Sequence, residues 1–141
     1  MELKGKKVLV LGLGETGISM ARWLSRRGAM VSVADTRNAP PQAAALRREL
    51  PQVALACGVF SDASLRAADA IAISPGIDRR TPAIAAAIGR GVPVVGDIEL
   101  FAQALHGRRS RIVAITGTNG KSTVTRMAGD ICIAAGLDTV V

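Results

Sequence analysis

Two glycine-bearing stretches carry the residue types and spacing that bind phosphate. The first is Thr116-Gly117-Thr118-Asn119-Gly120-Lys121-Ser122-Thr123. Successive backbone N–H groups in such a loop form an anion nest. The Lys121 ammonium is placed to bridge the β- and γ-phosphates of ATP, and the Ser122 hydroxyl to ligate Mg²⁺. The loop departs from the usual Walker pattern at one position: Ile115 stands five residues before Gly120, where a first glycine is expected. This leaves a compact G-x-x-G-K-[ST] form. Gly117, Thr118, Asn119, Gly120, Lys121, Ser122 and Thr123 are therefore the candidate ATP-binding residues, with Lys121 the candidate catalytic group and Ser122 the candidate metal ligand.

The second stretch is Gly12-Leu13-Gly14-Glu15-Thr16-Gly17, a G-x-G-x-x-G. Gly12 permits a tight turn, Gly14 lets a phosphate-bearing ligand approach the backbone, and Gly17 allows close helix–strand packing. The open N–H groups and the positive dipole end of the following helix attract phosphate. Asp35 lies 18 residues beyond Gly17, at the end of the next apolar run, where a carboxylate suits a ribose or a base. Taken alone this motif reads as NAD-binding; a nucleotide diphosphate is the firmer expectation. Thr36, Arg37, Ser74 and Gly76 fall in loops expected at the same mouth of the sheet. Arg37 can pair with phosphate or cover a base. His106, the single histidine, receives no catalytic role.

Those loops need strands and helices to hold them. Short apolar runs at 7–11, 30–34, 53–56, 70–73 and 92–95 read as buried parallel strands. Between them lie helical patterns at 16–27, 42–50 and 81–90, and a short turn at 61–66. Thr81-Pro82 supplies a cap and a proline at the first helical position. Strand and helix alternating in this way predict an α/β, Rossmann-like, doubly wound parallel sheet over residues 1–96. Residues 97–141 read as the opening of a second, P-loop ATPase domain: a helix at 97–105, a strand at 111–115, the glycine loop, a helix at 121–135 and the start of a strand at 139–141. One strand and one helix cannot bury both faces of a sheet, so this second unit reads as truncated.

Composition narrows the function classes. Of 141 residues, 49% are hydrophobic and 21% charged, which excludes disordered and low-complexity classes. No uncharged apolar run approaches the roughly 18 residues of a membrane span, and the N-terminal apolar run is too short for a secretory signal. A cytoplasmic protein without membrane attachment is expected. The net charge of +7 is carried by scattered arginines, and only Trp23, Phe60 and Phe101 are aromatic, so a base-stacking nucleic-acid platform is not expected. Cys57 and Cys132 have no metal-ligand or C-x-x-C spacing and read as buried small hydrophobes.

With Asp35-Thr36-Arg37, Ser74-Pro75-Gly76-Ile77 and Gly96-Asp97-Ile98-Glu99-Leu100-Phe101 added to the two glycine loops, the whole chain resembles the Mur ligase family of peptidoglycan synthesis. The Asp-Thr-Arg and Gly-Asp-Ile-Glu-Leu-Phe strings resemble the branch that adds D-glutamate. The compact ATP loop is shared by all Mur ligases and by folylpolyglutamate synthetases. The resemblance implies a UDP-binding first domain, a central ATPase domain and a C-terminal Rossmann-like domain. It implies that Gly14, Glu15 and Thr16 meet the UDP diphosphate and that Asp35 and Thr36 contact the uracil. Arg37 would lie beside the base or phosphate, with Ser74 and Gly76 on the opposite wall. The implied substrates are UDP-N-acetylmuramoyl-L-alanine and D-glutamate, with ATP and Mg²⁺, joined through an acyl phosphate by a monomeric enzyme. In the family, further Mg²⁺ ligands, a modified lysine and the D-glutamate site lie beyond residue 141, so no turnover is expected from this chain alone. Another Mur ligase, a folylpolyglutamate synthetase, an NAD-binding module and a purely structural Rossmann scaffold are the alternatives.

Overall fold

The computed structural model describes residues 2–141. They form two compact units, one reaching to His106 and the other beginning at Gly107. In the first, strands β1 (Lys7–Leu11), β2 (Met30–Asp35), β3 (Ala54–Cys57), β4 (Ala70–Ile73) and β5 (Val94–Val95) alternate with helices α1 (Glu15–Arg26), α2 (Ala43–Glu49), α3 (Asp62–Ala67), α4 (Pro82–Gly89) and α5 (Asp97–Leu105). The second holds α6 (Lys121–Ala134). Helix α5, read from the sequence as opening the second domain, clusters with the first unit, where Leu100 joins the core.

The sheet is parallel throughout, in the order β3-β2-β1-β4-β5. Its central strand shows why a continuous apolar run is needed. Val8 and Val10 face one layer with Ile18, Ala21, Leu24 and Leu46, while Leu9 and Leu11 face the other with Leu65, Ile84 and Ala87. Side chains alternate between faces along a strand, so a strand covered on both sides must be apolar at every position. Ala70-Ile71-Ala72-Ile73 in β4 is likewise buried at all four positions. Gly28, with φ +78°, ends α1 in the left-handed conformation that lets the chain turn back into β2.

Three expectations are corrected. Strand β5 is two residues rather than four, because Pro93 brings no N–H and contributes only its carbonyl, which accepts from Ile71 N at 2.9 Å. Arg111–Ile115 and Thr139–Val141 are coil rather than strands. A strand exists only through its ladder, and the described residues of the second unit contain no paired strand. Cys57 is exposed and Cys132 half-buried rather than buried, Cys57 because it ends the edge strand β3.

Candidate nucleotide sites

The strand order reverses between β1 and β4, and open α/β sheets bind ligands beyond the carboxyl ends of strands at such a point. The glycine turn follows β1, Thr36-Arg37 follows β2, and Ser74-Pro75-Gly76 follows β4. Thus the residues expected at one mouth are brought to one mouth.

The three glycines do different jobs. Gly12 has φ +88°, and a Cβ there would lie 2.9 Å from Ser74 Oγ. A Cβ on Gly17 would lie 1.9 Å from the Gly12 carbonyl oxygen. Both positions are therefore closed by the fold itself. Gly14 has φ −93° and open space where a Cβ would project. Neither strain nor packing demands glycine at Gly14, so its missing side chain leaves the backbone open to a molecule from outside. Gly14 is the N-cap of α1 with no side-chain cap, and the first helical bond is Ile18 N to Gly14 O at 3.0 Å. The N–H groups of Glu15, Thr16 and Gly17 thus precede the helical ladder, at the positive end of a 12-residue helix.

Ser74 buttresses this turn: its hydroxyl donates to the Gly12 carbonyl at 3.3 Å, and its N–H donates to Leu11 O at 3.0 Å. Gly76 instead lines an open cleft of about 350 Å³ with Thr36, Val59, Phe60, Ile77, Asp78, Thr81 and Ala83. Phe60, Asp78 and Thr81 carry no motif in the sequence, because they come from the loop after β3 and the loop between β4 and α4. The Thr81-Pro82 helix signal was the one pointer. Thr81 Oγ1 donates to Asp78 O at 2.8 Å and makes no cap bond into α4.

Asp35, read from the sequence as an acceptor for ribose or base, is 2% exposed and engaged within the chain. Its Oδ2 accepts from Leu13 N and Arg37 Nη2, each at 2.6 Å. Its Oδ1 accepts from Arg37 N and Arg37 Nε, each at 2.8 Å. The Arg37 side chain, half exposed, holds the carboxylate down to a pKa of about 2 against the lifting effect of burial, helped by the Leu13 and Arg37 N–H groups. Asp35 therefore ties Leu13, inside the glycine turn, to Arg37 at the mouth. A ligand bond to Asp35 requires one of these donors to give way.

The second unit carries the other cradle. Gly120, at φ +74°, is the N-cap of α6, and Val124 N to Gly120 O at 2.9 Å is the first helical bond. The N–H groups of Lys121, Ser122 and Thr123 precede that ladder at the start of a 14-residue helix. Lys121 folds back across the loop, its Nζ donating to Gly117 O at 2.7 Å and Thr118 O at 3.5 Å. Thr118, Asn119, Ser122 and Thr123 are exposed. Open amides, a lysine over the loop and an accessible hydroxyl suit the phosphates and Mg²⁺ of ATP. Among the described residues no cluster of three His, Cys, Asp or Glu side chains could hold a metal.

The family model for the Mur ligase MurD-like N-terminal domain matches residues 6–96, spanning the five-stranded sheet. The chain belongs to this family. Over its whole length it is 55% identical to the UDP-N-acetylmuramoylalanine--D-glutamate ligases of Thiobacillus denitrificans and Methylobacillus flagellatus. It spans only 32% and 31% of those proteins, about a third of their length. Among solved structures it is similar to a pseudomurein peptide ligase type C from Methanothermus fervidus, at 28% identity and a TM-score of 0.59 over 94% of this chain and 27% of that one. A Neisseria meningitides ligase of the same architecture, at 24% identity and a TM-score of 0.64 over 94% of this chain and 40% of that one, shares the fold. The MurD-like glycine turn thus opens a Rossmann-like sheet in a family of ligases. No helix among the described residues is long and apolar enough to cross a membrane.

Proposed function

We propose that this chain supplies the UDP-binding domain and the ATP phosphate loop of a cytoplasmic, monomeric ligase. That enzyme adds D-glutamate to UDP-N-acetylmuramoyl-L-alanine in peptidoglycan precursor synthesis. The observation that carries the reading is Gly14, a glycine that neither backbone strain nor packing requires, at the open N-terminus of α1 in a MurD-like domain. In this reading the diphosphate accepts from the N–H groups of Glu15 and Thr16. The uracil enters the cleft between Thr36 and Gly76. Arg37 lies at its rim, and Asp35 acts chiefly by holding Leu13 and Arg37.

In the reaction, the L-alanyl carboxylate of the carrier attacks the γ-phosphorus of ATP, giving an acyl phosphate and ADP. The D-glutamate amine then attacks that carbonyl, and phosphate departs. The chain's part in the first step is electrostatic. Lys121 leaves its two loop carbonyls for the β- and γ-phosphates, while the amides at the start of α6 hold the oxygens in place. Mg²⁺ beside Ser122, when bound, neutralises charge on the same phosphates. Residues 1–96 are the carrier-nucleotide domain and 97–141 the beginning of the ATPase domain in this proposal.

Thermal unfolding with ligand tests it. A molecule that binds only the folded state stabilises by RT ln(1 + [L]/Kd), about 2.7 kcal/mol at a hundredfold excess over Kd. The UDP-muramoyl substrate raises the melting temperature and NAD does not. The reverse pattern refutes the ligase reading in favour of a dinucleotide-binding module.

A further inference from the structure

One side-chain contact at the glycine turn has no place in the scheme above. Glu15, the first residue of α1, puts a carboxylate where the site is to receive a diphosphate, so ligand and protein bring like charge to one helix end. The helix dipole draws that carboxylate toward the same open N–H groups that a phosphate would use. It is held from the side, because Gln42 Nε2 donates to Glu15 Oε1. Gln42 is itself anchored. Its N–H donates to Leu13 O at 3.3 Å, its carbonyl accepts from Leu46 N at 2.9 Å, and Leu46 is buried in the core. Two turns farther along α1, Arg22 makes a two-bond contact with Glu49 at the far end of α2, at 2.6 and 2.9 Å. Helix α2 is therefore strapped along α1 at both ends, and Gln42 is fixed relative to the turn on which it acts.

From this geometry we infer that Gln42 is a positioning residue for the diphosphate seat: its amide retains the Glu15 carboxylate at the flank of α1 and keeps the N–H groups open to an incoming nucleotide diphosphate. The inference rests on the carrier-nucleotide reading and adds to it a residue from a different loop. An amide suits the task. A lysine would bring a positive charge that competes for phosphate, and an apolar side chain would release the carboxylate to fold over the helix end.

The test is titration of the chain with UDP, read by calorimetry at low and at moderate ionic strength. Gln42→Leu weakens UDP binding by about two- to five-fold at low salt, the scale of one charge at a helix N-terminus. Added salt screens the exposed carboxylate and shrinks the difference. The Glu15→Gln, Gln42→Leu double variant regains the affinity of the unmodified chain, which a distorted loop would not do. Unchanged affinity in Gln42→Leu overturns the assignment, and so does a loss that persists in the double variant. If the unmodified chain does not bind UDP, the carrier-nucleotide reading falls first and this inference with it.

Discussion

Replacing Asp35 with asparagine isolates what the buried carboxylate does, since the side chain keeps its shape and loses its charge. With a native pKa of about 2 against an ordinary 3.8, the ionised group stabilises the folded chain by about 2 kcal/mol at neutral pH. Because its pKa is lowered by folding, that contribution is complete above about pH 4 and fades as pH falls toward 2. The half-exposed Arg37 side chain makes the figure an upper one, as water screens its end of the pair. In the same direction, the asparagine must accept from Leu13 N with one oxygen while its NH₂ confronts Arg37. Urea unfolding followed by the fluorescence of Trp23, the single tryptophan, reports on the first unit alone, because Trp23 packs against that unit's core. The variant loses about 1–2 kcal/mol at pH 7, and the gap from the unmodified chain closes between pH 4 and pH 2. A gap of the same size at every pH would refute the electrostatic account and leave only a packing defect.

The glycine turn makes a paired prediction. Gly17→Ala forces a Cβ against the Gly12 carbonyl, with no side-chain motion to relieve it, and costs upwards of about 2 kcal/mol in the same urea assay. Gly14→Ala leaves the urea midpoint nearly unchanged, because its Cβ projects into open space, yet weakens UDP binding in calorimetry; equal damage from both substitutions would contradict the division of labour. In the second unit, Lys121→Ala removes an exposed side chain and leaves the helicity of α6 by circular dichroism unchanged. It abolishes ATP protection of the loop from proteolysis, and retained protection would exclude Lys121 from phosphate binding.

Much of this architecture is written locally. A strand buried on both faces must be apolar throughout, so 8–11 and 70–73 announce themselves without any knowledge of their neighbours. Gly28 and Gly120 act through their freedom to take positive φ and Pro82 through its fixed φ, and they mark helix ends in the same direct way. The two glycine loops are equally plain, because nest geometry depends on a few consecutive residues. Contacts between distant segments are another matter. Asp35 reads as a ligand carboxylate until Leu13 and Arg37 are seen to occupy it, and only the parallel register of β1 and β2 brings Leu13 within reach. Gln42 has no motif at all; a turn 27 residues from Glu15 carries it to the helix end. Arg111–Ile115 has every local property of a strand and forms none, since a strand's hydrogen bonds must be answered by another segment. Residue type and spacing therefore determined which backbone could receive phosphate, whereas the long-range packing decided which polar side chains remain free to meet a ligand and which are already spent holding the fold.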